Sequence, residues 1–114
     1  MDLKEKLAGL NRKQKTINYE GTTLIIKEML SGDHEDYETS LYKIKGNQME
    51  YDTKNAKSKM FIYCVHDEQG NKVYELNDLG LVRQLPSSLV DLVFDVATEL
   101  NGITDETVKG AVKN

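Results

Sequence analysis

Apolar and polar positions follow two different periods along the chain, and the change of period separates the predicted strands from the predicted helices. Residues 15–28 read "KTINYEGTTLIIKE", with β-branched and aromatic residues on both sides of Glu20-Gly21. Such residues are enriched in strands, and a glycine at this place can supply the positive φ of a tight turn. The pattern predicts a β-hairpin with strands Lys15–Tyr19 and Thr22–Glu28.

Helical signals follow this predicted hairpin. Ser31 or Asp33 can cap a helix that begins near Asp33, and Gly46-Asn47 is a suitable helix stop. The apolar positions of residues 48–65 also fit a helix, although "MFIYCV" within that range fits a strand as well. We prefer the helix for residues 48–65.

The remaining residues predict further short elements. A short extended piece is expected at Lys72–Tyr74, followed by a helix that Asn77 caps and Pro86 ends. Thr104 begins a last short helix. The predicted fold class is α+β and mostly helical, with a small N-terminal β-hairpin followed by four or five helices. Residues 1–14 are expected to form a helix or a flexible arm, and residues 15–114 a single globular domain.

Residues 86–102, "PSSLVDLVFDVATELNG", predict the most amphipathic helix of the chain. Ser88 and Asp91 resemble a capping box at its start, and Gly102 is a suitable left-handed C-cap. At 100° per residue the apolar arc spans roughly 200°, twice the width of an ordinary surface stripe. Two interpretations remain open: this is a central helix covered on all sides, or part of its apolar arc binds a partner. The candidate partner-binding residues on the flank of the arc are Val90, Phe94, Asp91 and Asp95.

Charge and composition narrow the function classes. The chain has 114 residues and a net charge of −4, with six bases and three acids in residues 1–27 and nine acids and two bases in residues 67–106. No basic surplus typical of a nucleic-acid binder is present, and no apolar run is long enough for a membrane span. Complementary basic and acidic blocks suit head-to-tail self-association.

Catalytic and metal-binding patterns do not emerge from the sequence. His34 and His66 are far apart, and the spacing of the acids around Gly70 does not match a calcium loop. One cysteine, Cys64, permits no internal disulfide and is interpreted as a buried apolar residue. We therefore expect no enzyme activity, no metal and no cofactor.

Three segments carry a resemblance to a known family: "IIKEMLSGDHEDY", "FIYCVHDEQGNKVYELNDLGLVRQLP" and "LVDLVFDVATELNGI". In this order, over residues 20–103, they resemble the tail assembly chaperones of long-tailed (siphovirus-type) bacteriophages and related prophages. The resemblance implies a non-enzymatic protein of the host cytoplasm that coats the tape-measure protein, helps to recruit major tail-tube subunits and is absent from the mature virion. In many members of that family, ribosomal frameshifting adds a C-terminal extension and produces a second, longer form. The resemblance implies that this chain corresponds to the short form. The alternative is a structural tail or neck-connector subunit that stays in the virion.

Overall fold

The structure, a computed structural model, describes residues 1–103 and shows an α+β fold with two antiparallel sheets. A 3₁₀ turn at Leu76–Asp78 leads into the fourth helix. The elements in chain order are α1 (Leu3–Ala8), β1 (Gln14–Tyr19), β2 (Thr22–Lys27), α2 (Ser31–Ser40), β3 (Tyr42–Lys45), β4 (Gln48–Tyr51), α3 (Ala56–Cys64), β5 (Val65–His66), α4 (Leu79–Val82) and α5 (Ser87–Leu100).

The first sheet contains three strands in the order β1-β2-β5. Its hairpin turns at Glu20 and Gly21, which have φ values of 48° and 84°. Positive φ at both central residues suits the right-handed twist of the flanking strands, and Asn18 Oδ1 accepts a hydrogen bond from the Gly21 N–H at 3.0 Å. Strand β5 pairs with the other edge of β2, with Ile26 opposite Val65.

The predicted arrangement, an N-terminal hairpin followed by helices, is wrong. Helix α1 precedes the first hairpin, and β3 and β4 form a second hairpin after α2. About 45% of the described residues are helical and 22% lie in strands, so helix does not account for most of residues 1–103. The excess strand comes from residues that were assigned to helices.

The predicted helix over residues 48–65 is replaced by strand β4, helix α3 and strand β5. Gly46, which has a φ of 65°, turns the chain between β3 and β4 instead of stopping a helix. Tyr42 and Tyr51 face each other across this second hairpin, with ring centroids 5.4 Å apart in an edge-to-face arrangement. Such aromatic cross-strand pairs stabilise a hairpin, and this one joins residues that helical periodicity assigns to separate helices.

Helix α3 lies at the centre of the core. Residues Met60–Cys64 are all buried, because α3 packs against α5, α4, α2 and β2. Helix α5 contributes a buried face, and β2 contributes inward-pointing aliphatic residues. The buried apolar residues outside α3 are Leu24, Ile26, Met29, Tyr37, Leu41, Val65, Val82, Val90, Val93, Val96 and Ala97.

The ends of α5 only partly match the sequence prediction. Gly102 has a φ of 69° and closes the helix, as predicted. The expected capping box at Ser88 does not form, because the helix already begins at Ser87 with Pro86 at the N-cap position, and the Ser88 hydroxyl is instead hydrogen-bonded to the Tyr19 hydroxyl of β1. The predicted cap at Asn77 is also wrong, since Glu75 and Asp78 form a capping box there. The helix predicted from Thr104 lies outside the described residues.

Candidate partner-binding groove

An open groove with a cavity volume of about 590 Å³ lies between α2, the second hairpin, the start of α3 and the C-terminal end of α5. We call it the aromatic groove. Its lining surface is mainly apolar and includes three tyrosines and one phenylalanine. The apolar lining residues that define it are Tyr37, Leu41, Tyr42, Tyr51, Ala56, Phe94 and Ile103.

The aromatic side chains of the groove are fixed by contacts behind the surface. Tyr37 is 3% exposed, and its ring meets that of Tyr63 edge-on with centroids 6.4 Å apart. Burial raises the pKa of Tyr37 to about 12. Burial also raises the pKa of Tyr51, with a smaller contribution from the neighbouring Tyr42. Both phenols are therefore neutral at physiological pH, and the wall of the groove is an uncharged aromatic surface.

Polar side chains at the rim of the groove are paired with one another. Lys57 Nζ is 2.9 Å from Asp91 Oδ1 and 5.6 Å from the centroid of the Phe94 ring. His34 Nε2 is 2.9 Å from Glu38 Oε1, one helical turn away. Such exposed pairs contribute only about 0–1 kcal/mol to stability, so a partner can displace them at little cost.

The second hairpin extends the apolar surface beyond the groove. Because side chains alternate along a strand, Tyr42 and Ile44 share one face of the hairpin with Met49 and Tyr51, their partners across the strands. Tyr42 and Tyr51 line the groove, whereas Ile44 and Met49 are 77% and 69% exposed. We call this exposed pair, Ile44 and Met49, the hairpin tip. An apolar path therefore runs from Phe94 through the two tyrosines to the hairpin tip.

Sequence reasoning missed the hairpin tip because Ile44 and Met49 were placed on separate predicted helices. The signal was present as "YKIKGNQMEY", in which apolar residues alternate on both sides of Gly46-Asn47. A glycine-asparagine turn between two alternating runs is a hairpin pattern. Gly46 also suits a helix C-terminus, however, and that interpretation predicts two helices in place of the hairpin.

The structure separates the four predicted partner-binding residues. Phe94 is partly buried and lines the groove, and Asp91 reaches the rim through its pair with Lys57. Val90 is only 8% exposed and belongs to the core, while Asp95 is exposed and does not line the groove. Partner binding by these residues remains a prediction, and Phe94 is the apolar residue among them that a partner in the groove can contact.

The described residues were also compared with the requirements of a metal site, a membrane span and a reactive thiol, and Cys64 is the one cysteine among them. Within residues 1–103, no three His, Cys, Asp or Glu side chains are grouped closely enough to hold a metal ion. No helix in this described range combines the length and hydropathy needed to cross a membrane. Cys64 is fully buried, as predicted, and burial raises the pKa of its thiol to about 11.

The fold is similar to that of a known structure, the tail assembly chaperone of bacteriophage HK97. The two share 15% sequence identity with a TM-score of 0.62, and the similarity covers 84% of this chain and 94% of that chain. The resemblance found in the sequence is therefore confirmed for the fold. No protein-family model matches the sequence, and no curated protein matches it.

Proposed function

We propose that this protein is a tail assembly chaperone of a long-tailed bacteriophage or prophage. In this role it binds the tape-measure protein and helps to recruit major tail-tube subunits in the host cytoplasm. The observation that carries the proposal is the similarity of fold to the HK97 chaperone over 84% of the chain. The function is non-enzymatic and needs no cofactor.

The surface of the molecule supports a binding role. An aromatic groove that opens onto an exposed apolar hairpin tip leaves connected apolar side chains in contact with water. Contiguous apolar surface of this kind usually marks an interaction site on a soluble protein. The long apolar segments of an unassembled client are the kind of ligand that such a surface can cover until assembly begins.

The proposal is tested by capturing the client and by examining finished particles. Co-expression with the tape-measure protein of the same phage should yield a soluble complex, while the tape-measure protein expressed alone should aggregate. Mass spectrometry of purified virions should detect no stoichiometric copy of this chain. Stoichiometric recovery from virions, without any complex with the tape-measure protein, would overturn the proposal in favour of a structural tail or neck-connector subunit.

A further inference from the structure

We infer that the aromatic groove and the hairpin tip form one docking surface for an amphipathic helix with an aliphatic stripe and acidic flanks. This inference rests on the proposed function, since it names the chemistry of the client segment. It extends that function because it assigns the binding site to the second hairpin, whereas the sequence analysis placed the candidate partner-binding residues on the helix of residues 86–102 alone.

The shape of the surface suits a helix. Tyr42 and Tyr51 are shared between the groove and the hairpin face, so the apolar path is continuous and elongated. A helix lying in a groove uses apolar anchors at positions i, i+3, i+4 and i+7, which form a stripe along one face. Phe94, the tyrosine pair and the hairpin tip offer successive contacts for such a stripe.

The second hairpin also has an energetic reason to be covered. It is an isolated two-stranded sheet, and such hairpins have marginal stability unless another element packs on them. The tyrosine pair at its base packs against the core, whereas Ile44 and Met49 at its tip are largely exposed. A bound helix would bury both side chains and stabilise the hairpin.

The hairpin side of this surface is basic, whereas Glu38 and Asp91 at its rim are already paired with His34 and Lys57. Residues 43–59, which form the hairpin and the start of α3, contain five lysines and two acids in a chain whose net charge is −4. In the described residues, Lys45 and Lys54 lie within 4.0 Å of no carboxylate. Acidic side chains beside the aliphatic stripe of a bound helix could pair with these lysines. Such complementary charges set the orientation of the helix and its rate of association with the protein.

The test uses two fluorescently labelled peptides, each about 18 residues long so that a helix can form. Both carry the same leucine stripe, but one has glutamate on its flanks and the other has lysine. Fluorescence anisotropy with the full chain should show at least about tenfold tighter binding of the glutamate peptide at low salt. This preference should decrease as salt screens the lysines.

Variants then locate the site. The double variant Ile44→Ser/Met49→Ser should weaken binding of the glutamate peptide at least about tenfold, because it removes the apolar contacts of the hairpin tip. The matched control is Leu3→Ser/Leu7→Ser, which changes two exposed leucines of α1 and should leave binding unchanged. Thermal melts of both variants should remain close to that of the parent chain, because all four side chains are exposed.

Each other outcome overturns the inference. Equal binding of the two peptides would exclude an acidic helix, and unaltered binding by the hairpin variant would exclude the hairpin tip. If the hairpin variant instead dissociates an oligomer of the parent chain, a second copy is the occupant.

Failure of this inference can be distinguished from failure of the proposed function. Capture of the tape-measure protein by the parent chain and equally by the hairpin variant would leave the proposed function intact and exclude this docking surface. Hairpin-dependent binding of the glutamate peptide, without capture of the tape-measure protein, would retain the surface and exclude the proposed client.

Discussion

At the scale of single residues, neighbouring positions of α5 have different roles that the sequence pattern does not separate. Val90 and Phe94 are one helical turn apart on the same flank of the apolar arc. Val90 is covered by the core, whereas the Phe94 ring forms part of the groove beneath Lys57. Helical periodicity gives the direction of each side chain, but only the packing of α3 and the second hairpin decides which one a partner can reach.

Two substitutions should separate these roles. Val90→Ser places a hydroxyl in the core and leaves a small cavity, so we expect a loss of about 1–3 kcal/mol in the free energy of unfolding. Phe94→Leu keeps an apolar side chain and should cost less than about 1.5 kcal/mol. It should nevertheless weaken binding of the glutamate peptide, because the ring that forms the groove wall is lost.

Urea unfolding and peptide anisotropy, measured on the same preparations, test this pair. The Val90→Ser chain should retain the parent affinity under conditions in which it is folded. A normal affinity for the Phe94→Leu chain would show that Phe94 contributes to the fold alone.

The buried His66 gives the stability of the fold a pH dependence. The residue is 4% exposed, and its Nδ1 atom lies 2.8 Å from the carbonyl oxygen of Cys64. Burial lowers the pKa of His66, the nearby charges of Arg12, Lys27 and Lys72 lower it further, and the hydrogen bond opposes them. Below the ordinary histidine pKa of about 6.5, the unfolded chain therefore binds more protons than the folded chain.

Stability should consequently decrease as pH falls from about 7 to 5, a range that spans the pKa of histidine in the unfolded chain. His66→Gln removes this titration, so its free energy of unfolding should change less over the same range. Urea titrations of both chains at several pH values measure the difference. Identical pH profiles would mean that other groups cause the loss.

At the scale of elements, sequence reasoning succeeded where the signals are local. The first hairpin was found from its turn residues and β-branched strands, and the end of α5 from Gly102. It found the helix of α3 but failed at its bounds, because residues 48–51 and 65–66 form strands β4 and β5, and the apolar run "MFIYCV" shows no clear period that would place the end of the helix. It also failed at Ser88, whose hydroxyl is engaged by Tyr19, a residue 69 positions away in the sequence.

The candidate site was likewise predictable only where its signal is local. The sequence directed attention to α5, and Phe94 does line the groove. Most of the groove, however, comes from residues outside α5, in α2, the second hairpin and the start of α3. Such a surface depends on several separate elements, so no single amphipathic helix could indicate it.

At the scale of the whole molecule, the two charge blocks of the sequence are in contact. The basic N-terminal block includes β1 and β2, and α5, which carries Asp91, Asp95 and Glu99 of the acidic block, packs against both strands. The blocks therefore do not form opposite ends of a rod. Helix α1 differs, because none of its residues is buried and it carries Lys4 and Lys6 beside the exposed Leu3 and Leu7.

The remaining prediction concerns self-association through this exposed basic helix. If charge attraction between α1 and the acidic surface of another copy drives it, oligomers should form at low salt and dissociate as salt rises. The Debye length falls from about 10 Å at 0.1 M to 3 Å at 1 M, which is short enough to screen exposed pairs. Sedimentation velocity at several salt concentrations measures this effect. Lys4→Glu/Lys6→Glu should give a monomer at low salt, whereas Leu3→Ser/Leu7→Ser should retain the salt response. A parent chain that stays monomeric at high concentration and low salt would exclude charge-driven association, and oligomers that persist at 1 M salt would indicate an apolar interface instead.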